Sequence, residues 1–146
     1  LSKKQDAPAF EFVPYKFGCF SWQSYADKRT MIGYGQLDKK EDIEANGSGL
    51  LAYLGIGALL ITLGEQGMYL FEHNKKPFPI PTRAQEVYDV SGAGDTVIAV
   101  FALCLAAGAD RRQAADIANH AAGVVVGKMG AVAVELDELK HAVQEQ

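Results

Sequence analysis

Residues 58–64 read ALLITLG, a continuous apolar run closed by glycine. With no polar residue alternating through it, such a run reads as a buried strand. GMYLF at residues 67–71 reads as a second strand after a tight turn, and HNKKP follows as a polar turn. FPIPTRAQEVYDV carries prolines at 77, 79 and 81, which confines its start to an edge strand or loop. Its EVYDV end reads as a further short strand.

Helical signals follow. GAGDTVIAVFALCLAAG reads as a glycine turn entering an apolar helix that stops at Gly108. Asp110–Gln113 has the form of a capping box and opens a helix through QAADIANHAAGVVVGK. ELDELKHAVQ forms a final amphipathic helix. Strands followed by helices, both facing one core, predict an α/β layered domain.

The first part of the chain has a different character. AFEFV at residues 9–13 reads as a strand closed by Pro14, and residues 15–36 show no clean period. From Lys39 to Leu54 the chain reads as a helix with acidic residues in its first turn, which suits the helix dipole. Asn46–Gly49 weakens that helix, because glycine costs helix stability.

With 146 residues the chain is long enough for one compact core. A net charge of -4 without a Lys/Arg cluster argues against nucleic acid as the main partner, since phosphate backbones are held by concentrated positive charge. A single nucleotide is not excluded, because backbone amides hold phosphate without positive side chains. No apolar run has the length of a membrane span, and the opening LSKKQDAPAF lacks a signal-peptide core. Cys19 and Cys104 are isolated in sequence, which favours a reduced cytosolic protein. The chain begins with Leu rather than Met, as a fragment or processed chain does.

The chemistry is concentrated in Asp89–Thr96, DVSGAGDT. Gly92, Ala93 and Gly94 place small residues where a loop enters a helix, whose first N–H groups lack intrahelical partners. Such amides form an anion site to which small residues let a phosphate come close. Asp95 falls in the first turn beside that anion. Oriented amides plus a carboxylate that accepts a hydroxyl proton suit phosphoryl transfer. A tight turn with a carboxylate cap is the plainer reading of GAGD alone. The segment is neither a Walker loop nor a completed GxGxxG. His73, His120 and His141 read as surface or packing residues, Lys75 and Lys76 as a solvated turn, and Asp137, Glu138 and Lys140 as an exposed helix face. Phe10, Phe12, Phe20, Trp22 and Tyr25 read as core or interface aromatics.

DVSGAGDTVIAV resembles the C-terminal signature of the ribokinase (phosphofructokinase B) family of sugar kinases, departing at Val100, a packing position where the family has Ala or Gly. Thr62–Gly67 is similar to the family's TxGxxG turn, and Ala118–Gly130 to the helix and loop that border the adenine. LLITLGEQGMYLF, VYDVSGAGDTVIAV and AAGVVVGKMG resemble most the bacterial heptose 7-phosphate kinases of that family. The resemblance is good over residues 55–139 and poor before them.

The resemblance implies the C-terminal part of a three-layer α/β sandwich, a single partial domain over 1–146. Residues 1–54 would be a divergent segment and 55–146 the nucleotide-binding and catalytic part. It implies Asp95 as base and Gly92, Ala93 and Gly94 as anion hole. It further implies Thr62, Gly64, Gly67, Asn119 and Gly123 around ATP, with Mg2+ on the phosphates. A monovalent cation, K+, would lie near Asp89, Ser91 and the Val125–Gly130 loop. The reaction implied is transfer to the anomeric hydroxyl of a sugar phosphate, on the way to lipopolysaccharide core. The family's N-terminal half, with most sugar contacts and the lid, is absent. At the family's Asn-x-x-Glu segment this chain reads Tyr15 for Asn and Gly18 for Glu. Three alternatives stay open: a kinase of the family acting on another sugar or nucleoside, a non-catalytic nucleotide-binding module, and a half-domain completed by a partner chain or a second copy.

Overall fold

The structure, a computed structural model, describes residues 17–21, 40–84 and 86–144. Four strands form one sheet in the order β1 (Phe17–Ser21), β2 (Ala58–Thr62), β3 (Met68–Glu72), β4 (Phe78–Ile80). β1 lies parallel to β2, in register Phe17 with Ala58 and Ser21 with Thr62. β2 and β3 form an antiparallel hairpin with Leu60 opposite Leu70, and β4 runs antiparallel to β3. The helices are α1 (Lys40–Leu54), α2 (Ala93–Ala106), α3 (Arg111–Val126) and α4 (Leu136–Gln144).

Side chains alternate across a strand, and here both alternating sets are apolar. Ala58, Leu60, Met68, Leu70 and Ile80 pack with Val97 and Phe101 of α2 and Ala114, Ala115 and Ala118 of α3. Leu59, Ile61, Tyr69 and Phe71 pack on the opposite side with Ile43, Leu50 and Leu51 of α1. The result is three layers, α1 over the sheet over α2 and α3, as the resemblance implied. Val100 and Cys104 are partly buried against the α2–α3 side, in packing positions.

One of the two glycines that weakened α1 on propensity has a packing reason. A Cβ on Gly47 would lie 2.2 Å from the Phe71 ring, so only glycine lets this helix seat on the fully buried ring. Asn46 Nδ2 donates to Asp42 O at 2.8 Å. Tyr69, buried in the same layer, donates its hydroxyl to Glu44.

Three local readings change. Residues 86–90 form no strand; instead Tyr88 N and Asp89 N both donate to Val126 O, at 2.8 and 3.3 Å, tying the segment to the end of α3. The sequence showed no period at Phe17–Ser21, yet these residues form β1. Gly18 consequently lies inside a strand, opposite Leu59, and not in a segment that follows one. Residues 9–13, Tyr15, Phe10, Phe12, Trp22 and Tyr25 fall outside the described residues.

Lys75 is not merely a solvated turn residue. The buried Glu72 at the end of β3 receives Lys75 Nζ and Arg111 Nη1, each at 3.0 Å. Arg112 approaches Glu72 Oε2 at 4.0 Å and lies over the Phe78 ring. These links join the sheet to the start of α3, where Asp110 makes the expected capping box with Gln113. Burial pushes the Glu72 carboxyl up, but the hydrogen bonds from Lys75 and Arg111 outweigh it and hold the pKa below the ordinary 4.5.

Two expectations follow. Gly47→Ala should destabilise the protein by about 1–3 kcal/mol through overpacking, despite alanine's better helix propensity, and Phe71→Leu in the same chain should relieve much of that loss in urea unfolding. Because the folded pKa of Glu72 is depressed, its contribution to stability is present above its unfolded value and fades as pH falls through the folded one. In urea midpoints measured between pH 7 and pH 3, Glu72→Gln should flatten the acid limb. An unchanged limb would show that Glu72 is not the group responsible.

Candidate functional site

One groove, with a cavity volume of about 710 Å3, gathers residues from α1, the β2–β3 turn, the start of α2 and α3. It opens at the carboxyl end of β2 and at the start of α2. Crevices at strand carboxyl ends are where α/β sheets bind ligands. Thr62, Gly64 and Gly67 line one wall, Gly92, Ala93, Gly94 and Asp95 the next, and Asn119 and Gly123 of α3 the third. The catalytic and nucleotide residues expected from the sequence are thus brought together, although they lie up to sixty positions apart. Ile43, Val87, Val90 and Val126 add apolar lining that the sequence reading did not mark as site residues.

Each wall has a local cause. Residues Gly64–Gln66 make one 3-10 turn after β2, and Gly67 returns the chain with φ +86°. A Cβ on Gly67 would meet Ile80 O at 2.2 Å, so the turn closes tightly against the end of β4. At the head of α2, Gly92 takes φ 78°, ψ -2°, a left-handed conformation open to glycine at little cost. Its carbonyl accepts from Thr96 N and Thr96 Oγ1, each at 2.9 Å, so the helix begins there. No side chain caps this end. Ala93 N turns back to Val90 O at 3.3 Å, and the first turn of α2 stands at the groove wall without a side-chain cap, the kind of helix start that binds anions. Asp95, exposed in that same turn, places a carboxylate beside them.

The α3 wall is built by close approach. Asn119 is only 3 % exposed. Its Nδ2 donates to Pro81 O at 2.6 Å. It is therefore neither solvated nor a cap, but a buried strut between α3 and the end of β4. One turn later, a Cβ on Gly123 would lie 3.1 Å from the Arg83 carbonyl, so glycine is what lets residues 82–84 cross the helix.

Asp89 and Ser91 stand apart from the residues lining the groove and act behind it. Asp89 Oδ1 accepts from Ser91 N at 2.9 Å and Oδ2 from Gly130 N at 3.1 Å. The carboxylate thereby ties the loop before α2 to the turn after α3. Hydrogen bonds from Ser91 first, then Gly130, hold the Asp89 carboxyl below the ordinary aspartate value. Among the histidines, His120 is buried on α3, and His73 is exposed with Nε2 2.9 Å from Ile56 O.

The arrangement can bind an anion at a helix start and put a carboxylate next to it. No helix among the described residues is long and apolar enough to cross a membrane.

Comparison with known proteins agrees with this geometry. Residues 34–138 match the profile of the pfkB family carbohydrate kinases. The match begins about twenty residues earlier than the motifs alone suggested. The bifunctional protein HldE of Pseudomonas aeruginosa is 40 % identical over 141 residues, covering 97 % of this chain but 29 % of its own length. The chain therefore spans less than a third of that relative. Among solved structures, the ribokinase of Thermotoga maritima superposes with a TM-score of 0.75 at 20 % identity, over 89 % of this chain and 42 % of its own. The Arabidopsis thaliana ribokinase complexed with ribose and ATP gives 0.68 at 27 % identity, over 75 % of this chain and 36 % of its own. On the profile match across residues 34–138, this chain belongs to the pfkB family of carbohydrate kinases.

Proposed function

We propose that the chain carries the nucleotide-binding and phosphoryl-transfer part of an ATP-dependent sugar kinase. The observation that supports this most is the convergence on one groove of the uncapped start of α2, the Asp95 carboxylate and the Thr62–Gly67 turn. Residues 55–146 supply these groups, and Ile43 of α1 adds one apolar contact.

In this reading Thr62, Gly64 and Gly67 border the phosphates and ribose of ATP. The amides at Gly92, Ala93 and Gly94 face the transferring group, whose charge spreads over its equatorial oxygens. Asp95 accepts the proton of the attacking hydroxyl. Asn119 and Gly123 form the wall on the adenine side. Asn119 Nδ2 spends one of its two N–H groups on Pro81 O, which fixes the orientation of the amide.

Magnesium bound with ATP neutralises phosphate charge. Among the described residues no three His, Cys, Asp or Glu side chains gather as a metal cage. The ion would be held mainly by phosphates and water, as magnesium commonly is beside nucleotides. A potassium ion is proposed beside Asp89 and Ser91, where the loop before α2 meets the 127–130 turn. The Asp89 oxygens each retain acceptor capacity beyond the N–H bonds they receive.

The sugar is proposed to be a heptose 7-phosphate, phosphorylated at its anomeric hydroxyl in the cytoplasm for lipopolysaccharide synthesis. The wording of residues 59–71, 87–100 and 121–130 supports this, together with 40 % identity to HldE. A second reading, a half-domain completed by another chain or a second copy, is favoured by two observations. Ile98 and Leu103 of α2 are exposed, and among the described residues β1 pairs only with β2.

Calorimetric titration with Mg-ATP, with and without potassium, should show saturable binding, strengthened by the cation. No binding at millimolar ATP would overturn the nucleotide site in this chain. Asp95→Asn should lower ADP release in the presence of sugar phosphate by about a hundredfold or more, with little change in Mg-ATP affinity. Full activity in that variant would remove Asp95 as the base. Gly94→Val should weaken Mg-ATP binding by roughly tenfold or more, by blocking approach to the amides, and equal affinity would argue against the anion cradle.

A further inference from the structure

Helix α4 has no buried residue, yet it is fixed to the protein beside the turn that follows α3. Lys128 Nζ reaches both carboxylate oxygens of Glu138, each at 2.6 Å. Glu138 Oε2 also accepts from Glu135 N at 3.0 Å, so the same carboxylate ties the start of α4. Lys128 N donates to Val125 O at 3.0 Å, which holds the turn to α3. Two residues on, Gly130 N reaches Asp89 Oδ2, and Asp89 Oδ1 takes the Ser91 amide immediately before Gly92. Polar links joined by the backbone of residues 128–130 and 91–92 therefore run from α4 to the head of α2. Neither Lys128 nor Glu138 lines the groove.

We propose that Lys128 and Glu138 are positioning residues: their ion pair clasps the 127–130 turn and, through Asp89, sets the amides at the start of α2. The proposal rests on the reading of those amides as the phosphate cradle. If the clasp opens, Gly130 N loses its fixed place. Asp89 then has only one of its two amides held by the fold, and the loop 89–92 gains freedom that an anion must remove on binding. Another polar pair on α4, Lys140 with Asp137 at 3.1 Å, lies on the exposed face and is not part of this series. It provides a control within the same helix.

The test uses the full chain. Lys128→Met, Glu138→Gln, the double variant and Lys140→Met are compared by two readouts. In ligand-free protein, the backbone amide resonances of Ser91 and Gly94 should shift in both single variants and by no more in the double, while Lys140→Met leaves them in place. Residues sharing one link are expected to be non-additive in this way. Mg-ATP affinity should fall by roughly tenfold in either single variant, again without further loss in the double, and at nearly unchanged thermal midpoint. Unmoved Ser91 and Gly94 resonances in Lys128→Met would overturn the proposal, as would a loss of affinity that is fully additive. Should the unaltered chain fail to bind Mg-ATP, the nucleotide reading falls, and the ligand-free resonances still decide whether the clasp sets the loop.

Discussion

Strands β2 and β3 have no face that water can wet, and the rest of the architecture follows from that constraint. Leu59 and Ile61 on one side, and Leu60 and Leu70 on the other, each need a cover. Burying one such side chain contributes roughly 1.5–3 kcal/mol, so leaving either face open is not an option for a chain of this size. Helix α1 covers one side and α2 with α3 the other. Covering the second side with α2 brings the helix start to the carboxyl end of β2. The groove is thus a by-product of packing: the sheet decides where α2 must lie, and the helix start brings its amides with it.

The groove is then shaped by small approaches and not by large side chains. Gly67 closes on Ile80 O, Gly123 admits residues 82–84 across α3, and Asn119 braces α3 to Pro81. Each concerns backbone that lines or supports the groove. Rigid elements carry the groups, and short backbone contacts fix their spacing. The Glu72 network at the other end of the sheet uses charge for the same purpose, joining β3 to the start of α3.

Much of this was legible in the sequence because local signals and tertiary needs agree there. The ALLIT run, the Asp110 capping box and the GAGD turn name their own conformations. The failures have physical reasons. Phe17–Ser21 has no alternation to read, because a strand whose place is fixed by parallel pairing with β2 draws on a partner more than forty residues away. EVYDV has strand-like composition, but its amides find Val126 O at the end of α3 and no ladder. Lys75 looked like a solvated turn residue because its partner, Glu72, sits at the close of an apolar strand where nothing in the sequence announces a buried carboxylate. Asn119 could be marked only through family resemblance; that it is a strut depends on Pro81, thirty-eight positions away.

The missing cap on α2 has a thermodynamic meaning beyond the site itself. Most helices complete their first turn with a side chain, and this one leaves the place vacant at Gly92. An anion settling there completes the helix in the folded state and has no counterpart in the unfolded chain. Occupancy and folding are therefore linked equilibria, and stability rises with the logarithm of ligand concentration above its dissociation constant. The uncapped turn is a weak point of the fold, and an anion bound there would be what completes it.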